Sequence, residues 1–383
     1  MLKVYGKAAI SEFLGDKIVY RNLVPADRRL PGLDTFRENV AIPAGVIPRK
    51  SEGDYARAIV YLLGLARKLD APAARIRRLI FIGDTRLNDG TAFDNLCRAG
   101  GWPGLAFIGS ESAESAATEV TYSTSGQAIF LSNRWASLLD DGRAGFDHFR
   151  ETHGFPVDED TAVVVDLDKT ALGARGRNAN TIDQARVQAV RDTVADLLGS
   201  EFDPAAFRVA YNQLNQVEFH AFTRDNQDYL AYICLILGSG IYDLQGLIRK
   251  IQSNQLESIQ VFMAEVESRL SELPPAMSQI HRQIYDNVLA GDPTPFKAFR
   301  RNEFLATVSR MGHLPDDTPV QDMLENEILI TREVQALVMK WLQKGVLLFG
   351  LSDKPDEASL PTPEQAIQGY LPIHRTPTHI VGE

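Results

Sequence analysis

Apolar residues follow two different patterns along the chain. In its first and last parts they form short unbroken runs, each closed by polar residues; from about 203 to 325 they recur at helical spacing and strand-like runs vanish. An unbroken aliphatic run bounded by turn signals is the pattern of a strand buried on both faces, as in a parallel sheet. Such runs predict strands at 78–83, 105–109, 128–132, 161–165 and 345–351, with a further one at 379–382. Helical periodicity between them predicts helices over 50–68 (capped by Ser51 or Asp54), 92–98, 134–152, a helix from 181 to 198 and one from 331 to about 344. Thr181-Ile-Asp-Gln184 reads as a capping box for the fourth of these, and Thr331 as the cap of the last. Residues 1–50 carry many turn signals and are expected to wrap the surface or add an edge strand, while 110–124 and 171–180 read as loops.

Strand, acidic loop, helix and strand over 78–109 make a βαβ crossover. The fold class expected is therefore α/β, a Rossmann-like parallel sheet with helices on both faces, built from 1–180 and 328–383. The stretch 181–327, with at least five amphipathic segments, is expected to be a separate all-helical domain.

Composition narrows the class. The 383 residues allow two or three domains, and a charged fraction of 23% with 44% hydrophobic residues is that of a soluble globular protein. A net charge of −10 argues against non-specific nucleic-acid binding. Cys97 and Cys234 lie far apart and outside any metal-ligand spacing, which suits two buried thiols in a reducing compartment. The start lacks a signal-peptide pattern, and the longest apolar stretch, 229–237, is far short of the roughly 20 residues that span a bilayer. A cytoplasmic protein without a membrane or nucleic-acid partner is expected.

Candidate chemistry collects at three strand tips. Asp166 and Asp168 follow the run Val163-Val-Val165, Asp84 and Asp89 follow 78–83, and Ser352 and Lys354 follow 345–351. Ligands of open α/β sheets bind beyond the carboxyl ends of the strands. One carboxylate can attack phosphorus and a second can protonate the leaving oxygen. Further carboxylates suit Mg²⁺, which prefers oxygen ligands. A hydroxyl and an ammonium can hold phosphoryl oxygens. Taken singly, each tip has an ordinary structural reading as a turn or a helix cap; their joint occurrence is what points to a site.

These residues resemble the motifs of the haloacid dehalogenase-like (HAD) superfamily of phosphohydrolases. Asp166-Leu-Asp-Lys-Thr170 matches the first motif, Asp-x-Asp-x-Thr, and Ser352 in Leu-Ser-Asp-Lys-Pro matches the second. Gly83-Asp-Thr-Arg-Leu-Asn-Asp89 matches the fourth. In the family that fourth motif comes last, whereas here it precedes the nucleophile motif, so the resemblance implies a circular permutation. For the third-motif lysine, Lys50 fits best because it opens the helix before the Gly-Asp strand, and Lys354 is the rival. The resemblance implies Asp166 as the nucleophile that becomes an aspartyl-phosphate and Asp168 as general acid and base. It implies Mg²⁺ held by Asp166, the backbone carbonyl of Asp168, Asp84 and Asp89, and a phosphoryl group held by Ser352 and a lysine. The helical domain falls where the family places a mobile cap.

The activity expected is Mg²⁺-dependent hydrolysis of a small phosphomonoester. Alternatives are a phosphotransferase or mutase of the same fold, or a non-catalytic interaction protein that uses the helical domain. Arg175 and Arg177 could grip an anionic substrate or lie in a solvated loop. Lys297, Arg300 and Arg301 suit a solvated helix face better than a cleft. His374 and His379 are expected to be structural.

Overall fold

A computed structural model describes residues 1–139, 145–224 and 226–383. The chain divides into two compact units, Met1–Gln184 with Thr307–Glu383 and, between them in sequence, Ala185–Ala306.

The first unit is α/β. Among the described residues its ten strands are β1 (Lys3–Ala8), β2 (Ile18–Val19), β3 (Arg78–Gly83), β4 (Gly104–Gly109), β5 (Thr118–Tyr122), β6 (Ala128–Ser132), β7 (Thr161–Asp166), β8 (Ile330–Thr331), β9 (Leu347–Leu351) and β10 (Thr378–Gly382). Seven of them form one sheet in the order β2-β9-β7-β3-β4-β6-β5, parallel throughout except for β5. The other three make a small sheet, β1-β10-β8.

Continuous apolar runs become central strands because both of their faces are covered. On one face Leu79, Phe81, Val164 and Phe349 join a core with Ile59, Leu62 and Leu63 of the helix Gly53–Asp70 and Phe93 and Leu96 of the helix Asn88–Gly100. On the other, Phe107 and Phe130 meet Phe146, and Phe107 also meets Trp135, while Phe146 packs on Trp341 of the helix Arg332–Leu342. Each such side chain contributes roughly 1.5–3 kcal/mol on full burial.

Several local expectations are corrected. β5 lies in the stretch read as loop, because it is a largely exposed edge whose Thr118-Glu-Val-Thr-Tyr122 lacks the continuous apolar run of a buried strand. The segment read as one helix over 134–152 contains a 3₁₀ turn, Trp135–Leu138, and a helix, Phe146–Thr152; residues 140–144 lie outside those described. Neither Ser51 nor Asp54 caps the helix that follows Lys50: Glu52 occupies that position, and its carboxylate accepts the Arg49 N–H at 2.9 Å. Thr181 caps nothing either, since the helix Ala179–Leu198 has already begun and the Thr181 hydroxyl donates to the Asn178 carbonyl at 2.7 Å. Thr331 stands at the N-cap of its helix but makes no side-chain cap bond, its hydroxyl donating instead to the Thr170 carbonyl.

The stretch Val320–Asn326 and its surroundings, read as part of the helical domain, belong to the first unit. Met323 packs with Leu329 and Val381, and Asn178 donates to the Leu324 and Glu327 carbonyls at 2.7 and 2.9 Å. Buried Glu327 also accepts from the His379 ring at 2.7 Å, so both His379 and Glu327 serve the packing. His374 likewise pairs with the Tyr20 hydroxyl at 3.1 Å.

The second unit is helical, with Pro204–Leu214, Gln227–Gly238, Leu244–Gln252, Ile259–Ser268 and Pro275–Leu289 as its main elements. Asp203, Asp243 and Ser258 cap three of these by accepting backbone N–H bonds. Arg300, expected on a solvated face, is buried: it reaches Asp228 at 2.5 Å and Glu303 at 2.6 Å. Among the described residues no helix is long and apolar enough to cross a membrane.

Candidate functional site

Register places the three motif-bearing tips side by side. Ile82 pairs with Val165 across β3 and β7, and Asp166 pairs with Leu351 across β7 and β9. The residues that follow each strand therefore emerge at one end of the sheet. Asp84, Asp89 and Asp166 each present one carboxylate oxygen there, all within 4.8 Å of one another. Asp166, Asp89, Lys50 and Ser352 are all buried, and Asp84 nearly so.

Lys50 joins this group from the segment leading into the helix Gly53–Asp70. Its ammonium donates to Asp89 Oδ1 at 2.6 Å and to Asp166 Oδ1. Of the two candidate lysines it is the one in contact with the acids. Lys354 is buried close by in sequence to Ser352, whose hydroxyl accepts the Lys354 backbone N–H at 3.0 Å.

Asp89 is fixed by the loop that carries it. Its Oδ2 accepts the backbone N–H groups of Asp84 and Thr85, both at 2.9 Å, and the Thr85 hydroxyl at 3.1 Å. Gly83 is required beside it, because a Cβ there would lie 2.7 Å from the Asp89 side chain. Asp84 does not cap the following helix; it accepts from Arg175 Nε at 2.5 Å. Arg177 is not available to a ligand, being buried between Glu333 at 2.9 Å and Glu111 at 3.0 Å. The Asp168 carboxylate stands outside the oxygen triad and is only half-buried, whereas Asp166 is buried. Cys97 and Cys234 are buried free thiols, with burial pushing Cys234 up to about 12.

Crowded carboxylates resist ionisation in a buried setting. Burial and the adjacent Asp89 push Asp84 up to about 7, against the pull of Arg175. Burial acts on Asp89 in the same sense, but Lys50 and the N–H of Thr85 hold it at about 2. Burial pushes Asp166 well above the carboxylate range despite Lys50, with Asp89 and Asp84 adding to the effect. For Lys50 burial opposes the charge, and Asp166 and Asp89 more than offset it, so the ammonium stays protonated. Three convergent carboxylates, hard oxygen donors, fit a divalent cation of the oxygen-seeking class.

A pH response follows from Asp84. The folded protein keeps that proton up to about 7, while an unfolded chain releases it near the ordinary carboxylate value. The stabilisation from this group is complete below the unfolded value and lost as pH rises through the folded one. In metal-free buffer the wild type is therefore expected to lose urea stability, relative to Asp84→Asn, as pH is raised from acid to mildly alkaline. Parallel pH responses of the two proteins would contradict the assignment.

Sequence reasoning passed over Thr85, although a hydroxyl four residues before an acid at a helix start is a recognisable pairing. It also passed over Tyr55, whose buried hydroxyl has no hydrogen-bond partner among the described residues. No protein-family model, no curated protein and no solved structure matches the chain.

Proposed function

We propose that the protein is a Mg²⁺-dependent phosphatase of the HAD-like class, acting on a small phosphomonoester. The observation that carries this reading is the convergence of Asp84, Asp89, Lys50 and Asp166, distant and in scrambled order along the chain, at adjacent strand tips. A packing motif has no reason to gather three carboxylates in a buried corner, since the like charges oppose one another.

In this reading an Asp166 carboxylate oxygen forms a bond to phosphorus as the ester P–O bond breaks. Asp168, half-buried and so within reach of solvent, gives its proton to the departing oxygen. The resulting aspartyl-phosphate is then hydrolysed by water that Asp168 deprotonates, returning Asp166 and releasing phosphate. Lys50 and Ser352 hold phosphoryl oxygens, with Lys354 near the same tip. Asp84, Asp89 and Asp166, with the Asp168 carbonyl, would hold Mg²⁺. When bound, the cation supplies the positive charge that keeps the acids ionised and neutralises phosphoryl oxygens. The helical unit, placed in sequence between the first and second motifs, takes the part of a cap, and the two buried free thiols suit a cytoplasmic setting.

The test is turnover of p-nitrophenyl phosphate and of a panel of phosphorylated metabolites, with Mg²⁺ and with chelator. Mg²⁺-dependent phosphate release is expected; its absence across the panel would reject the reading. Transfer to an added sugar hydroxyl in place of water would identify the phosphotransferase variant.

A further inference from the structure

The loop 169–176 after β7 is built to a fixed shape. Lys169 (φ 63°), Gly173 (φ 63°) and Gly176 (φ 75°) all adopt the left-handed conformation. At Gly176 nothing larger fits, because a Cβ would lie 1.9 Å from the Glu111 carbonyl oxygen. A non-glycine residue such as Lys169 keeps this conformation only where its surroundings over-determine it. Here they do so around Arg175. Its N–H donates to the Lys169 carbonyl at 2.7 Å, and its own carbonyl accepts the Glu111 N–H at 2.9 Å and the Trp135 indole N–H at 3.1 Å.

What this clamped backbone presents is a single guanidinium. Arg175 touches Asp84 through Nε alone, and its two terminal amino groups have no hydrogen-bond partner among the described residues. The side chain remains 40% exposed, while every acid of the triad is less than 10% exposed. Arginine–carboxylate pairs that serve charge neutralisation are frequently bidentate, engaging both oxygens through the planar fork. Arg177, two residues on, is such a case, meeting both oxygens of Glu333 at 2.9 and 3.0 Å. Arg175 instead bonds Asp84 through Nε and leaves four N–H donors unbonded among the described residues on a side chain that is 40% exposed, and such a planar fork matches a planar array of oxyanion acceptors.

We propose that Arg175 is a substrate-binding residue that grips an oxyanion of the substrate beside the Asp84–Asp89–Asp166 triad. The inference rests on the phosphatase reading and deepens it. The oxyanion belongs either to the phosphoryl group itself or to a second anionic group on the leaving portion.

The experiment compares wild type, Arg175→Lys and Arg175→Gln in three measurements. The first is competitive inhibition by inorganic phosphate; the second is KM for glycerol 3-phosphate against 3-phosphoglycerate, in which a carboxylate replaces a hydroxymethyl group; the third is the Mg²⁺ concentration for half-maximal activity. Loss of a charged, bidentate contact weakens binding by about 10- to 100-fold. Arg175→Gln is expected to weaken phosphate inhibition by that factor if the phosphoryl group is the partner. If the second anion is the partner, it raises KM for 3-phosphoglycerate alone by that factor. Arg175→Lys should restore only part of either effect, because a point charge lacks the fork. A residue that merely steadies Asp84 would move the Mg²⁺ requirement and leave both anion measurements unchanged, and that result overturns the proposal. If the wild type shows neither Mg²⁺-dependent turnover nor phosphate binding, the phosphatase reading falls and this inference with it.

Discussion

Asp166→Asn is expected to lower turnover of p-nitrophenyl phosphate by at least about 1,000-fold, equivalent to roughly 4 kcal/mol of transition-state stabilisation. The amide has nearly the size of the carboxylate, so the Val163-Val-Val165 strand behind it keeps its packing. It is a far weaker nucleophile towards phosphorus, and it replaces one of the three carboxylates that converge within 4.8 Å with a neutral amide. The structural consequence runs in the opposite sense. Asp166 is pressed by burial and by its neighbours Asp89 and Asp84, so replacing it relieves repulsion, while Lys50 keeps Asp89 as its partner at 2.6 Å. The urea midpoint of the variant should accordingly equal or exceed that of the wild type in metal-free buffer. Steady-state kinetics and urea unfolding on one preparation check both halves. Activity within tenfold of wild type would remove Asp166 from the chemistry; lost activity together with a collapsed fold would make it a structural residue.

The separation of catalytic from structural effect at Asp166 explains why this part of the fold was legible in the sequence. A buried parallel strand must be apolar along its whole length, so polar residues are displaced to its ends, and the acids at the tips of β3 and β7 stand out against aliphatic runs. The same logic recovered β4, β6 and β9. It fails where burial is one-sided or absent. β5 is an exposed antiparallel edge and β2 has only two residues, so neither leaves a distinctive pattern. The helix boundaries at Glu52 and Ala179 were misread for a different reason. Hydroxyl side chains suited to capping are present at Ser51 and Thr181, yet the Thr181 hydroxyl bonds the Asn178 carbonyl inside a helix already begun, and Glu52 takes the other N-cap position and accepts the Arg49 N–H. Long-range pairing decides the arginines. Nothing in Arg175-Gly-Arg177 shows that one guanidinium is sealed against Glu333 and Glu111 while the other reaches Asp84. Arg300 is the same case, its charge buried against Asp228 from 72 residues away. Sequence periodicity reports which face is apolar; it carries no signal for a charge whose partner is remote.

Lys50→Met is expected to be the most destabilising single change at the site, by about 3–5 kcal/mol in metal-free buffer, the usual cost of breaking a buried ion pair from one side. The ammonium is 3% exposed and is the only cation in direct contact with Asp89 and Asp166 among the described residues. Methionine fills similar volume against the neighbouring Phe81 ring, 5.5 Å from the ammonium, so the loss is one of charge and not of packing. Two buried carboxylates, Asp89 and Asp166, would then face each other with no cation in direct contact with either among the described residues. Two partial rescues distinguish this cause from a general loss of fit. Saturating Mg²⁺ should recover part of the stability, since a cation bound by the triad returns positive charge to the same corner. Asp166→Asn in the Lys50→Met background should recover part of it without metal, giving a coupling of at least about 1 kcal/mol in the double-mutant cycle, as expected for residues in contact. Phosphate inhibition should be weakened in Lys50→Met and stay weak under both rescues, because neither restores a donor to the phosphoryl oxygens. Additive single-mutant effects would mean that Lys50 and Asp166 do not share their charge. In that event the lysine would be a packing element beside the acids and the proposed phosphoryl contact would pass to Lys354.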